Sequence, residues 1–235
     1  MVAQSTTTLS SATPSNTAPS NTAPSGTAPA IALTRPSWVR DRIAALGASW
    51  GAGAPRVAGT LWWCMVASAL VDQVIAARAE GRPAPPAGLE ALDCELRPDG
   101  GIERMIPRPE RDVRTGTGDP DLLAALSLRE TLTRIVPVVA QVSGAGMPAL
   151  WAVVADAIGN RAIDAGAPQL ATALAGQIGG KLPVPRFVEA GGRTFVRRIS
   201  CCLVFEVPGA QMCTSCPKRP ADERAGLLER YSAGH

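Results

Sequence analysis

The sequence predicts an α+β fold: a mainly helical domain with short antiparallel strands and a cysteine-bearing C-terminal segment. Three observations carry this. Hydrophobic residues make up 46% of the 235 residues, yet the aromatics are only five Trp, three Phe and one Tyr, so the core must come mostly from Ala, Val and Leu, which suits close-packed helices. Several long stretches repeat apolar residues at spacings of three and four. From Lys181 onward the pattern changes to short Val- and Phe-containing runs broken by glycines, as strands and turns require.

Residues 1–34 read as a disordered low-complexity tail. The repeat "SNTAP SNTAP SGTAP" at 15–29 offers too little apolar area to offset chain entropy. A mainly helical domain with one hairpin then spans 35–180. Its first helix is expected from Ser37, which can cap it, with Trp38, Ile43, Leu46 and Trp50 on the inner face. A long apolar helix follows and stops at Gly81. The segment 89–107 alternates and turns at Pro98-Asp99-Gly100-Gly101, a hairpin.

Asp119 caps the next helix, Pro120 takes its first turn, and Leu122, Ala125, Leu128, Leu132, Ile135, Val139 and Val142 form one stripe, with a kink expected at Pro137. Two more helices lie in 147–166 and 168–180. The strand-rich segment 181–235 holds two or three short strands and a closing amphipathic helix in 221–232.

Composition excludes much chemistry. The only His is His235, at the end where chains fray, so no His-based triad, His-ligated zinc or Rieske centre can be assembled. A net charge of +3 is too mild for a nucleic-acid domain. The longest apolar run, Val57 to Val71, is 15 residues, short of the roughly 20 that cross a bilayer, and reads as a buried core helix. The first thirty residues have neither a basic start nor a continuous apolar run. A cytoplasmic protein without a transmembrane segment is expected, with its thiols reduced.

Four of the six cysteines fall within "SCCLVFEVPGAQMCTSCP" as Cys201-Cys202, ten residues, then Cys213-x-x-Cys216. Neighbouring cysteines pair poorly with each other, and a reducing compartment disfavours the other disulfides. A thioredoxin-like pair would need a strand-then-helix setting that Cys213 and Cys216 lack. Zinc bound by four thiolates is the serious rival, although a Cys-Cys pair cannot form the usual Cys-x-x-Cys knuckle. A [2Fe–2S] cluster spreads four thiolates over two irons and tolerates a less compact arrangement, but the spacing is neither ferredoxin pattern. Residue chemistry alone leaves these two open.

The same residues resemble the signature of the FhuF-like ferric-siderophore reductases. The matching run is Ser200-Cys201-Cys202-Leu203, then Pro208-Gly209, then Cys213-Thr214-Ser215-Cys216-Pro217. "PRVAGTLWW" and "MPALWAVVADAI" resemble the helical part of that family more loosely. The resemblance implies a [2Fe–2S] cluster on Cys201, Cys202, Cys213 and Cys216 and one-electron reduction of a ferric siderophore that releases iron as Fe(II). It implies no catalytic side chain beyond the cluster ligands. The partners it implies are the ferric siderophore and an electron-donor protein such as a ferredoxin or reductase, with no nucleic acid; peripheral association with the inner membrane is left open. The alternative is a zinc-stapled or iron–sulfur sensor or interaction domain without reductase activity.

Gly144-x-Gly146-x-x-Ala149 copies part of a dinucleotide fingerprint, but a helix rather than a strand precedes it, so no bound NAD or flavin is expected. Cys64 and Cys94 read as small buried residues, and Trp62, Trp63 and Trp151 as core. Arg197, Arg198, Lys218 and Arg219 bracket the cysteines and are the candidate docking patch for an anionic partner or substrate. On an alternating strand only one of Arg197 and Arg198 can face the cluster side. Backbone amides between Cys202 and Cys216 are the expected donors to sulfur.

Overall fold

A computed structural model describes residues 26–108 and 118–234. The observed class is α+β, with six helices and two small antiparallel sheets among these residues. Proline opens the first three helices: α1 (Pro36–Trp50), α2 (Pro55–Ala79) and α3 (Pro120–Ser143). Its missing N–H costs nothing in a first turn, and its fixed φ suits the helix. Asp119 caps α3 as expected, its carboxylate accepting the Asp121 N–H at 3.0 Å. Ser37 does not cap α1; Arg35 is the cap residue and no side chain bonds there. α4 (Met147–Asp164) and α5 (Gln169–Ile178) complete the bundle.

α2 is the central element and packs against α1, α3, α4 and α5. Its 25 residues are long and apolar enough to cross a membrane, but most of its surface is buried inside the protein. Trp62 and Trp63 are fully buried, each with an indole N–H satisfied by a carbonyl, Gly100 and Leu150 respectively. Trp151 is buried as well. The inner faces differ from expectation at their ends. Trp50 and Leu122, each on a terminal turn of its helix, are exposed, whereas Val39, Leu46, Leu128, Leu132, Ile135 and Val139 are fully buried.

The low-complexity tail ends earlier than expected. β1 (Gly26–Pro29) pairs antiparallel with β2 (Leu92–Leu96), and the 3-10 turn Ala30–Thr34 buries Ala30 and Leu33 completely. A Gly-Thr-Ala-Pro stretch has no strand signal of its own; the free edge of β2 supplies it. The remainder of the expected tail, residues 1–25, lies outside the described residues, as does His235.

β2 pairs with β3 (Ile102–Pro107) to form the expected hairpin. Its turn docks on α1: the buried Arg42 donates to the carbonyls of Gly100, Arg97 and Gly101 at 2.9, 3.0 and 3.2 Å. Gly100 is required there, with φ +95° and the Arg42 carbonyl only 2.6 Å from where a Cβ would stand.

The C-terminal segment begins with the hairpin β4 (Phe187–Ala190) and β5 (Arg193–Val196), joined at Gly191-Gly192. β5 lies on α4 at Gly159, where an added Cβ would meet the Val196 side chain at 2.9 Å. After β5 the chain runs without regular strands to α6 (Ala221–Ala233), apart from a 3-10 turn at Val204–Glu206. The four clustered cysteines lie in this irregular stretch.

Candidate functional site

Cys201 and Cys202 lie on the loop that leaves β5 through residues 197–200, and Cys213 and Cys216 lie on a second stretch that returns to meet them. The thiols meet as two pairs. Cys201 Sγ lies 3.7 Å from Cys216 Sγ. Cys202 and Cys213 form the second pair, each with its Sγ 3.6 Å from Arg198 Nη1. Two thiolates on one tetrahedral metal, each about 2.3 Å away, stand about 3.8 Å apart, so the first pair already has the spacing of two ligands on a single ion. Among the described residues no three metal-binding side chains converge on one point. Two pairs match a cluster that takes two thiolates per iron, and are a poorer match to one zinc ion with four.

Three devices hold this arrangement. The first is Leu203, whose φ of +64° is the only positive value at a non-glycine among the described residues. That turn directs its own N–H to Cys201 Sγ at 3.4 Å and the Val204 N–H to Cys202. Amide donors thus fall within the expected stretch. A non-glycine in this region is strained by roughly 1–3 kcal/mol, which the surrounding contacts must hold; burial of the Leu203 side chain is one of them.

The second device is Asp156, on the inward face of α4 and 3% exposed. Its carboxylate accepts the Ile199 N–H at 2.9 Å, the Ser200 N–H at 3.1 Å and the Ser200 hydroxyl at 2.9 Å. Its remaining capacity faces Arg198 Nε at 3.5 Å. Arg198 in turn places Nη1 3.6 Å from both Cys202 Sγ and Cys213 Sγ. One buried ion pair therefore ties the helical bundle to the thiol segment.

The third is the basic stretch after Cys216. Arg219 donates to the carbonyls of Cys213 and Met212, at 3.0 and 2.6 Å, and pairs with Glu223 on α6. Arg224 reaches the Cys216 carbonyl at 3.4 Å.

The candidate docking residues accordingly divide. Arg198 and Arg219 turn inward and brace the loops, with side chains 14% and 19% exposed. Arg197 and Lys218 are exposed, Lys218 with its Nζ 5.1 Å from the centre of the Phe205 ring.

The thiols are unlike electrostatically. Cys202 is held down to about 5, chiefly by the hydrogen bond from Cys213, with help from the Val204 N–H and Arg198 and against the effect of burial. Cys213 is pushed up by donating that bond and by burial. Burial raises Cys201, partly offset by the Leu203 N–H. Cys64 on α2 is a fifth thiol in the electrostatic neighbourhood of Arg198, Cys202 and Cys201; burial pushes it up to about 12, so it stays neutral. Cys94 is fully buried in β2, with its Sγ 3.6 Å from Met105 Sδ.

Sequence reasoning missed Asp156 and the nearness of Cys64. Asp156 had one signal: it is the single acid in "LWAVVADAIG", and a charge inside an apolar helix needs a partner. Cys64 had none, since its neighbours come from far along the chain.

Fold and site together define a helical bundle that carries an irregular arm in which four thiols meet as two pairs, a candidate metal centre. Residues 198–218 match the model of the FhuF 2Fe-2S C-terminal domain, and Cys201, Cys202, Cys213 and Cys216 fit its motif. The domain indicates a [2Fe–2S] cluster, which the two thiol pairs are suited to hold. No curated protein matches the chain.

Proposed function

We propose that this protein is a one-electron reductase that frees iron from a ferric siderophore as Fe(II). The observation that carries the reading is a cavity of about 680 Å³ that opens beside Cys213. Cys213 is the only one of the four clustered thiols in its lining. Thr214, Ser215, Arg193, Phe195 and Tyr231 are among the residues around it. Its volume falls in the range of small-molecule sites. Hydroxyl donors and a guanidinium offer bonds to chelate oxygens, and the two rings, set edge to face with centroids 6.1 Å apart, offer an apolar wall.

The cluster would supply one electron at a time. The chain's own residues would exclude water from the thiols, hold the chelate within reach of Cys213 and bind the donor. Iron in the chelate gains the electron; the resulting Fe(II) has lower charge density, is held less well by hard oxygen ligands and dissociates. No side chain need act as acid or base on a covalent bond, which fits a chain whose one His is its last residue. The electron comes from a donor protein of the ferredoxin or reductase class, in the reducing cytoplasm where thiolate clusters persist. The exposed Arg197 and Lys218 are suited to draw in an acidic donor.

The test is direct. Protein reduced anaerobically is mixed with a ferric siderophore and an Fe(II) trap. The visible spectrum should return to the oxidised form as Fe(II) appears, one equivalent per cluster. A reduced spectrum that persists with every hydroxamate and catecholate chelate tried would remove the reading.

A further inference from the structure

The two thiol pairs sit in different electrostatic surroundings. Arg198 places Nη1 3.6 Å from both Cys202 Sγ and Cys213 Sγ. Among the described residues no cationic side chain is hydrogen-bonded to the sulfur of Cys201 or Cys216; the Leu203 N–H points at Cys201, and Arg224 goes to the Cys216 carbonyl. The guanidinium is mostly out of water, and so is its partner Asp156, with side chains 14% and 4% exposed. Solvent therefore screens its field at the sulfurs far less than that of a surface charge.

We propose that Arg198, held in place by Asp156, makes the two irons of the cluster inequivalent: the added electron resides on the iron held by Cys202 and Cys213, and the guanidinium raises the reduction potential. Reduction adds one negative charge. A fixed cation against two of the four thiolates stabilises the more negative state, and stabilises it most when that charge lies on the nearer iron. Hydrogen bonds to sulfur act in the same direction.

Arginine suits the task because it never loses its proton and its planar fork carries several donors. One face can meet the Asp156 carboxylate while Nη1 spans two sulfurs. Asp156 does not touch a thiol; it is a positioning residue that acts through Arg198 and through the Ile199 and Ser200 amides. The favoured iron is also the one whose ligand Cys213 borders the cavity, so the electron would sit on the side from which it leaves.

The inference rests on the cluster assignment and not on the reductase reading: a protein that reduced no chelate would still show the asymmetry. The test uses full-length holoprotein with iron and acid-labile sulfide counted in each variant. In a redox titration followed by visible absorbance, Arg198→Gln should shift the midpoint to lower potential. Arg198→Lys keeps the charge but cannot span both sulfurs, so it should shift less in the same direction. Arg197→Gln removes an exposed neighbouring charge and should leave the midpoint where it was.

Localisation is read separately. Reduced protein labelled with ¹⁵N-arginine should show a pulsed-EPR coupling to an arginine nitrogen, lost in Arg198→Lys. An unchanged midpoint in both Arg198 variants, or an equal shift in Arg197→Gln, overturns the tuning role. Absence of any arginine coupling in the wild type overturns the localisation. If Arg198→Gln fails to take up a cluster, the lysine variant and the labelled wild type still decide both points.

Discussion

The helical bundle and the thiol arm are held together by opposite means. The bundle is apolar: Val, Leu, Ala and Trp from five helices fill its centre, and α2 is covered on nearly every side. The arm from residue 197 to 220 has almost no regular secondary structure and buries few large side chains. It is fixed instead by directed polar contacts: Asp156 on two amides and a hydroxyl, Arg198 on two sulfurs, Arg219 on two carbonyls, and amides on thiols. Loss of one methylene in the bundle costs a fraction of its burial energy. Loss of one contact in the arm leaves a buried charge or donor without a partner, which is the larger penalty.

The sharpest way to break this contrast is at its junction. Asp156→Ala should destabilise the fold by about 3–5 kcal/mol, because the buried Arg198 and two amides lose their acceptor at once. Thermal unfolding and cluster content should fall together. A variant with wild-type midpoint and full cluster would show that the arm stands without the bundle's acid.

Next come the thiols. Serine at any one of Cys201, Cys202, Cys213 or Cys216 should remove or grossly alter the visible spectrum. Cys94→Ser should instead cost stability of about 1–3 kcal/mol, since the hydroxyl enters a buried site whose acceptor is the weak Met105 sulfur, and leave the spectrum intact. Cys64→Ser should also keep the spectrum, despite its place near Cys201 and Cys202, because its thiol lies outside both pairs. A lost spectrum in Cys64→Ser would make it a ligand and force a different pairing.

A smaller effect is expected at the start of the chain. Removing residues 1–34 takes away Leu33 and Ala30 from the core and a strand from the edge of β2, at a cost of roughly 3 kcal/mol. Removing only 1–25 should leave the denaturant midpoint unchanged, because that stretch is polar and repetitive. Equal midpoints for both truncations would show that β1 adds nothing.

The smallest effect belongs to exposed charge. Glutamate at Arg197 and Lys218 together should slow electron exchange with an acidic donor and flatten its dependence on salt, leaving spectrum and stability as they were. Stopped-flow rates at two ionic strengths measure it; identical salt slopes would place the donor's footprint elsewhere.

Much of this was legible in the sequence because it rests on local rules. Spacings of three and four residues mark a helix whatever it packs against, so α2 through α5 stood where periodicity put them. The turn at Pro98-Asp99-Gly100-Gly101 depends on conformations that glycine permits, and it formed the hairpin between Leu96 and Ile102. The cysteine spacing fixed how many thiolates could gather and how tightly, which is enough to favour a two-iron site once the whole motif is matched. The end of the tail was not legible: Gly26–Pro29 is a strand only because β2 offers an unpaired edge, and backbone pairing takes its stability from the partner.

What only the tertiary structure decided was the meaning of the charges. By sequence, Arg197, Arg198, Lys218 and Arg219 bracket a cysteine motif, and alternation says only that one of Arg197 and Arg198 faces the cluster side, not which. In the fold two of them turn inward and two remain in solvent: Arg198 is drawn in by Asp156, which lies 42 positions away, and Arg219 by the carbonyls of Cys213 and Met212. A charge takes its role from the dielectric and the partner it meets, and both are set by where distant helices place it. Periodicity and spacing are properties of neighbours in the chain, and so the helices and the thiol motif could be read directly. Burial and pairing are properties of neighbours in space, and so the acid that anchors the arm, and the arginine it aims at two sulfurs, could not.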